Sequence, residues 1–354
     1  MSERGASAYA VCSPSITPPG GIELMRAVRM ALFILGAVLF LVLLIRVGPG
    51  AVAALFTELS WYLPLIAVFP YGLMTMVDTL GWRFAFRRNT VPFQALLMAR
   101  LAGEAFNIAT PTASVGGEAV KTWLIRPYVS LTESIPAVVI AKTTITIGQA
   151  LYLLLGLLIG AAVLPPDLPL LQAMRWLLGL ELLGVGGFVV VQLLGVLGIG
   201  GRMLQRFHFV APEGVAGAMG QVDSALAHFY REEPWRLLLS ITYHFLGWAL
   251  GALEAYLILW ALGLRVSLAT ALVIDAFGSG IGFAAFLIPA RLGATEAGQV
   301  AIFMALGLGA PAGLTFALIQ RLREATWAGL GFLALTTLRA GVPPAVSAAL
   351  DTKG

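Results

Sequence analysis

Long apolar stretches dominate this chain and leave few folds open to it. Ala27–Ile45, Trp61–Gly81, Ile135–Leu164, Leu170–Ile199, Leu237–Leu262 and Leu314–Leu338 each approach or exceed the roughly 20 residues that a helix needs to cross a hydrocarbon core of about 30 Å. In lipid, every backbone polar group must be satisfied within a helix or a closed barrel. Barrel strands read as alternating segments of about ten residues, and these runs are continuous. Only 11% of the 354 residues are charged and 59% are hydrophobic, against about 25% charged in a soluble domain. The fold class is therefore an all-α polytopic membrane protein.

The first stretch follows Arg26 and Arg29 and precedes Ala51-Val52-Ala53, a pattern shared with cleaved signal peptides. Its length and the spans after it favour a retained span. Two further regions, Phe93–Arg126 and Ser267–Gly309, are apolar at both ends and broken near the middle by Pro and Gly. Each reads as a re-entrant helical hairpin, which is permitted where protein or a water-filled cavity surrounds the polar turn. The expectation is six full spans plus two hairpins, or eight helices if the hairpins count as spans.

Positive charge orients the chain. Arg4, Arg26 and Arg29 lie in the N-terminal tail, and Arg83, Arg87 and Arg88 follow the second span. Arg202, Arg206, Arg231 and Arg236 lie between the fourth and fifth spans, and Arg339 and Lys353 at the C-terminus. The loops between these groups are poor in base. The positive-inside rule then places both termini in the cytoplasm, and the membrane is read as a bacterial inner membrane. Residues 1–24 form a disordered tail, 25–165 a first membrane unit with hairpin 93–126, and 341–354 a second tail. Residues 166–340 form a second unit with hairpin 267–309. Each unit reads as span, span, hairpin, span, starting on opposite sides, which makes two inverted-topology repeats of the kind found in secondary transporters. Between them, residues 213–231 carry Val215, Met219, Val222, Leu226 and Phe229 at helical spacing, an amphipathic helix suited to the cytoplasmic interface.

The hairpins hold the chemistry. "NIATPTASVGGEAVKTWLIRP" (107–127) and "FLIPARLGATEAG" (286–298) both place a Glu-Ala pair seven residues after a proline: Pro111 to Glu118, Pro289 to Glu296. Ionisable residues at membrane depth cost about 2.5–3.5 kcal/mol on insertion scales and are functional candidates by default. The first unit offers Arg100, Glu104, Glu118, Lys121 and Lys142, with Thr146 and Gln149 on the Lys142 face. The second offers Glu254, Asp275, Arg291, Glu296, Arg321, Arg323 and Glu324. Lys142 lies 24 residues after Glu118, and Arg321 lies 25 after Glu296. Each unit thus pairs a hairpin carboxylate with a base on the next span.

Helices are expected to start near Glu118 and Glu296. A helix start leaves N–H groups free and carries partial positive charge, which suits a phosphate. Lys121, Lys142, Arg291 and Arg321 add charge, and Thr112, Ser114 and Thr295 add hydroxyls. Gly116, Gly117 and Gly293 let backbone approach a ligand closely. The carboxylates would pair with the bases, hold a cationic head group or take a proton. The plain alternative is that Glu118–Lys121 and Glu296–Arg321 only close the hairpins. Asp78, Glu181 and Arg175 read as interfacial or locally paired residues, and His244 as a hydrogen-bonded packing residue.

The single cysteine, Cys12, gives no disulfide framework. The three histidines form no metal spacing, and no phosphate-binding loop or nucleophile elbow is present. No metal, cofactor or nucleic acid is expected. The partners are the membrane and a lipid with a phosphate head group, and assembly as a homo-oligomer is left open.

At Val115-Gly116-Gly117-Glu118-Ala119-Val120-Lys121, and at Pro289, Gly293, Glu296 and Arg321, the chain resembles the lysylphosphatidylglycerol synthase transmembrane region, or flippase-like domain, family. The likeness covers about residues 25–340. Where that family tends to have glycines after the second proline, this chain has Ala290 and Arg291; where it tends to have Glu-Arg early in the span after the first hairpin, this chain has Ala141-Lys142. The resemblance implies movement of a phosphate-bearing lipid between leaflets, without the soluble domain that synthase members carry. The residues themselves leave two alternatives: an intramembrane enzyme that modifies a lipid head group, or a proton-coupled carrier of a small anion.

Overall fold

The computed structural model describes most of residues 30–340; residues 110–114, 195–214 and several positions before Tyr62 are outside it, as are both termini. Both predicted tails, much of the first predicted span, and Thr112 and Ser114 in the first hairpin turn therefore lie outside the described residues. All regular structure among the described residues is helical. After helical residues at 37–42 and 44–46 come α1 (Tyr62–Phe84), α2 (Phe93–Ala109), α3 (Val115–Ile125), α4 (Leu131–Val163) and α5 (Pro169–Leu193). Then follow α6 (Val215–Glu232), α7 (Pro234–Ala261), α8 (Leu268–Ala284), a single 3-10 turn at Pro289–Arg291, α9 (Ala294–Ala305) and α10 (Ala310–Ala340).

Local chemistry sets several of these starts. Pro169 and Pro234 occupy the first turns of α5 and α7, where a missing N–H costs nothing. The Ser267 hydroxyl accepts from Thr270 N at 3.1 Å and caps α8. Among the described residues, three helices are by themselves long and apolar enough to cross a membrane: α4, α5 and α7. Helices α1 and α10 also cover their predicted spans, but carry charges within their length: Asp78 and Arg83 in α1, and Arg321, Arg323 and Glu324 in α10.

Both regions read as hairpins are pairs of short helices: 17 and 11 residues in the first, 17 and 12 in the second. Each pair is followed by a long helix, of 33 residues in α4 and 31 in α10. Contacts between the halves pair up in the same way. Helix α2 packs on α10, and α8 packs on α4.

The most extensive interface joins α1 to α7. A Cβ at Gly81 would stand 2.8 Å from the His244 ring, and one at Gly247 would stand 2.3 Å from Asp78 Oδ1. Asp78 and Gly81 are one helical turn apart, as are His244 and Gly247, so each polar side chain lies in the notch left by the other helix's glycine. Ser240 donates to Gly81 O at 2.8 Å, which fixes α1 and α7 as antiparallel.

Two apolar cores flank this crossing. One gathers Trp82, Phe86, Leu96, Ile125, Ile140, Leu226 and Phe229. The other gathers Leu153, Leu171, Met174, Ile258, Phe277, Ile302, Phe303 and Phe316. Helix α6 contributes Val222, Leu226 and Phe229 to the first core. The apolar face expected to meet the membrane interface is therefore covered, at these residues, by the chain itself. Tyr230 on the same helix donates to Gln192 Oε1 at 2.6 Å, and Gln192 donates to Thr143 Oγ1 at 3.0 Å, tying α6 to α5 and α4.

Close helix approach makes some glycines irreplaceable. A Cβ at Gly331 in α10 would sit 2.2 Å from Leu101 O in α2, whereas one at Gly329 would meet nothing within 4 Å. Gly331→Ala should lower stability by about 1–3 kcal/mol, the usual cost of overpacking. Gly329→Ala should leave it unchanged or raise it by up to about 1 kcal/mol through helix propensity. Thermal unfolding in detergent micelles checks both.

Candidate functional site

The two hairpins bring the charged residues into two clusters. In the first, Arg100 on α2 donates to Asp78 Oδ2 on α1 at 2.9 Å. Asp78 Oδ1 lies 3.2 Å from His244 Nδ1 on α7. One turn along α2, Glu104 accepts from Lys121 Nζ at 2.9 Å. Lys121, on α3, also donates to Glu118 at 3.1 Å, and Lys142 on α4 stands 3.7 Å from the same Glu118 oxygen. The cluster thus holds three carboxylates, three cationic side chains and His244, drawn from five helices.

The second cluster follows the same plan. Arg321 on α10 donates to Glu296 Oε1 at 2.6 Å, to Glu324 Oε2 at 2.9 Å, to Thr295 Oγ1 at 2.7 Å and to Ala290 O at 2.7 Å. Arg291 donates to Glu324 Oε1 at 3.0 Å. Arg323 donates to Glu254 on α7 at 2.6 Å, and its guanidinium lies 4.6 Å from the Tyr71 ring centroid on α1. In each cluster one cation is shared between two carboxylates, Lys121 in the first and Arg321 in the second. In each a further cation stays open: the side chains of Lys142 and Arg291 are 45% and 43% exposed.

The carboxylate and base that sequence spacing paired in each unit are therefore neighbours in space. Helices start near Glu118 and Glu296 as expected, at Val115 and Ala294, but backbone donors at these starts are not left free. Glu296 is fully buried, and its Oε2 accepts from Gly293 N, at the N-cap of its own helix, at 2.7 Å. In α3, Gly117 N donates to Asn107 Oδ1 at 2.8 Å. Backbone donors that sequence reasoning left for a phosphate are satisfied within the chain at these two positions. Burial explains this, because an unpaired N–H away from water costs about as much as a lost hydrogen bond. The glycines serve packing as well: a Cβ at Gly117 would lie 2.2 Å from Gly103 O, so the two arms of the first hairpin touch through backbone.

The second turn is strained. Ala290 and Arg291 have φ of 52° and 53°, and Gly293 has φ of 77°. Left-handed backbone costs a residue with a Cβ roughly 1–2 kcal/mol. Here the Arg321 bond to Ala290 O holds the turn.

Two clefts open beside the first cluster. One is lined by Glu104, Glu118, Lys121, Lys142 and His244. The other is lined by Tyr71, Thr75, Asp78 and Trp327. Arg100 and Glu104 line both. Sequence reasoning passed over Tyr71 and Tyr152; the latter donates to Asp275 on α8 at 2.9 Å. It also set aside Asp78 and His244, which connect α1, α2 and α7. Their common signal is a glycine one turn further along the same helix.

These features define a polytopic helical membrane protein whose buried charges converge at two broken-helix hairpins. The chain belongs to the lysylphosphatidylglycerol synthase transmembrane-region family: that family's model, described as "Lysylphosphatidylglycerol synthase TM region", matches residues 28–330. It is 25% identical over 310 residues to a UPF0104 membrane protein of Methanothermobacter thermautotrophicus, across 82% of this chain and 89% of that protein. No solved structure matches the chain.

Removing one partner of a buried ion pair leaves the other uncompensated. Arg323→Met should destabilise the protein by about 3–5 kcal/mol, whereas Arg323→Met with Glu254→Leu should recover most of that loss. Unfolding of the two single variants and the double variant in detergent checks this.

Proposed function

We propose that this protein moves a phosphate-bearing membrane lipid between leaflets by alternating access, through six spans and two re-entrant hairpins arranged as inverted repeats. The observation that carries this reading is the matched pair of hairpin carboxylates, Glu118 with Lys142 and Glu296 with Arg321. Closely matched helix lengths in the two hairpins and the antiparallel α1–α7 crossing support the inverted repeat. Family membership supports a lipid substrate, because the name of the family refers to a phospholipid-modifying system. The protein is placed in the inner membrane of a bacterium, with both termini in the cytoplasm.

With the backbone donors at Gly117 and Gly293 already used, the phosphate falls to the open cations, Lys142 and Arg291. Thr112 and Ser114 in the first turn and Gly116 beside it would complete the head-group contacts. Lys121, Arg321, Thr295 and Glu296 would hold the turns in place. A phosphate drawing Lys142 away from Glu118 would loosen the first hairpin from α4. The equivalent event at Arg291 would loosen the second turn from Glu324 on α10. Head-group binding thus competes with the pairs that close each hairpin, which gives the lipid a differential affinity for two arrangements.

The test is leaflet exchange of a fluorescent anionic phospholipid in proteoliposomes, read by a membrane-impermeant quencher. Glu118→Gln with Glu296→Gln should slow exchange at least about tenfold, equivalent to about 1.4 kcal/mol. Unchanged exchange would contradict the mechanism. Chemical conversion of the lipid by purified protein and a donor would indicate the enzyme instead. Uptake of soluble phosphate without lipid exchange would indicate the anion carrier.

A further inference from the structure

Glu181, near the middle of α5, takes part in neither charged cluster. Its residue is fully buried, and neither carboxyl oxygen has a hydrogen-bond partner among the described residues. Its neighbours in sequence, Leu180, Leu182 and Leu183, are exposed on a helix apolar enough to span a membrane. Packing on the other face shows where Glu181 points. A Cβ at Gly280 of α8 would lie 3.5 Å from Leu177, and one at Gly184 of α5 would lie 3.0 Å from Phe283 of α8. Glu181 is one turn beyond Leu177 and one turn before Gly184, so it shares the face that packs on α8.

Among the described residues, no charged group on the surrounding helices pairs with it. Helices α4, α6, α8 and α9 pack on α5. On α4, Lys142 faces Glu118 and Tyr152 is bonded to Asp275. Asp275 is the acid on α8, and on α9 Glu296 is held by Arg321. On α6, Tyr230 is bonded to Gln192 and His228 is paired with Glu232. Asp223, Arg231 and Glu232 lie on that same helix, whose Tyr230 meets α5 at Gln192, three turns from Glu181. An ionised carboxylate in such a place is far too costly, and the group stays neutral instead. A bare, neutral acid with no structural bond to make is the kind of group that carries a proton through a membrane protein.

We infer that Glu181 is a proton-carrying site: its carboxylic acid gives one proton to water when α5 and α8 separate and regains one when they close. Only that proton moves, and no other bond changes. The inference deepens the transport reading by supplying its energy source, a proton gradient, and its role in the cycle rests on that reading.

Two readouts keep the ideas apart, both on full-length protein in lipid bilayers. The first is the infrared spectrum of wild type against Glu181→Gln, whose side chain matches in size. A protonated-carboxyl C=O band should be present at neutral pH in wild type, absent in the variant, and lost from wild type as pH is raised. No such difference band, or a band indifferent to pH, overturns the inference, whatever the protein transports. The second is exchange of the fluorescent phospholipid under an imposed pH gradient. Wild type should respond to the gradient by at least about threefold, and Glu181→Gln should exchange lipid without responding. A variant that responds like wild type overturns the proton site and leaves lipid transport standing. Absence of exchange in wild type removes the transport reading, and the infrared band then decides the site alone.

Discussion

A charge at membrane depth must be matched, and most of this structure follows from that requirement. Twelve charged side chains form the two clusters: Asp78, Arg100, Glu104, Glu118, Lys121 and Lys142 in one, and Glu254, Arg291, Glu296, Arg321, Arg323 and Glu324 in the other. No single helix holds the partners it needs. Arg100 on α2 requires α1, Lys142 on α4 requires α3, and Arg323 on α10 requires α7. The ion pairs therefore set the order in which helices assemble around the hairpins, whereas the leucine-rich faces are nearly interchangeable in lipid. Close pairing also demands close backbones, and the notches at Gly81, Gly103, Gly247 and Gly331 provide them.

In the proposed transport cycle, pairing of this kind also acts as a switch. A buried pair is worth little over a well-packed apolar replacement, yet is costly to break from one side. A ligand that supplies the missing charge lowers that cost at the moment of breaking. Lys142 and Arg291 are placed for this, because each touches a carboxylate that already has a second cation. Losing the open cation leaves Glu118 with Lys121 and Glu324 with Arg321, so neither carboxylate is stranded.

The membrane class and the hairpin helices were legible in the sequence. Continuous apolar runs have one solution in lipid, and a Pro–Gly break inside such a run forces two short helices. The meeting of Glu118 with Lys142 and of Glu296 with Arg321 was legible from their matched spacing. The state of the helix starts was not read, although a signal existed. Glu296 stands three residues after Gly293, the spacing at which a carboxylate reaches back to cap its own helix. Asn107 is different: its bond to Gly117 spans the first turn, and no local rule anticipates a contact set by the fold of a turn. His244 was read as a hydrogen-bonded packing residue, which it is, and Asp78 as interfacial or locally paired, but a single ionisable residue on an apolar helix does not name its partner. Their meeting depends on the α1–α7 crossing, a tertiary fact. The strain at Ala290 and Arg291 was not read, because it lies in φ angles that the sequence does not state.

The central claim is that the two hairpins open toward opposite faces of the membrane. The one cysteine, Cys12, can be replaced by serine, and single cysteines placed at Ser114 or at Ala294. Labelling in right-side-out and inverted vesicles with a membrane-impermeant thiol reagent then reads each turn separately. Modification of position 114 from the cytoplasmic face and of position 294 from the outer face is the predicted result. Modification of both from one face would contradict the inverted arrangement and the alternating access built on it.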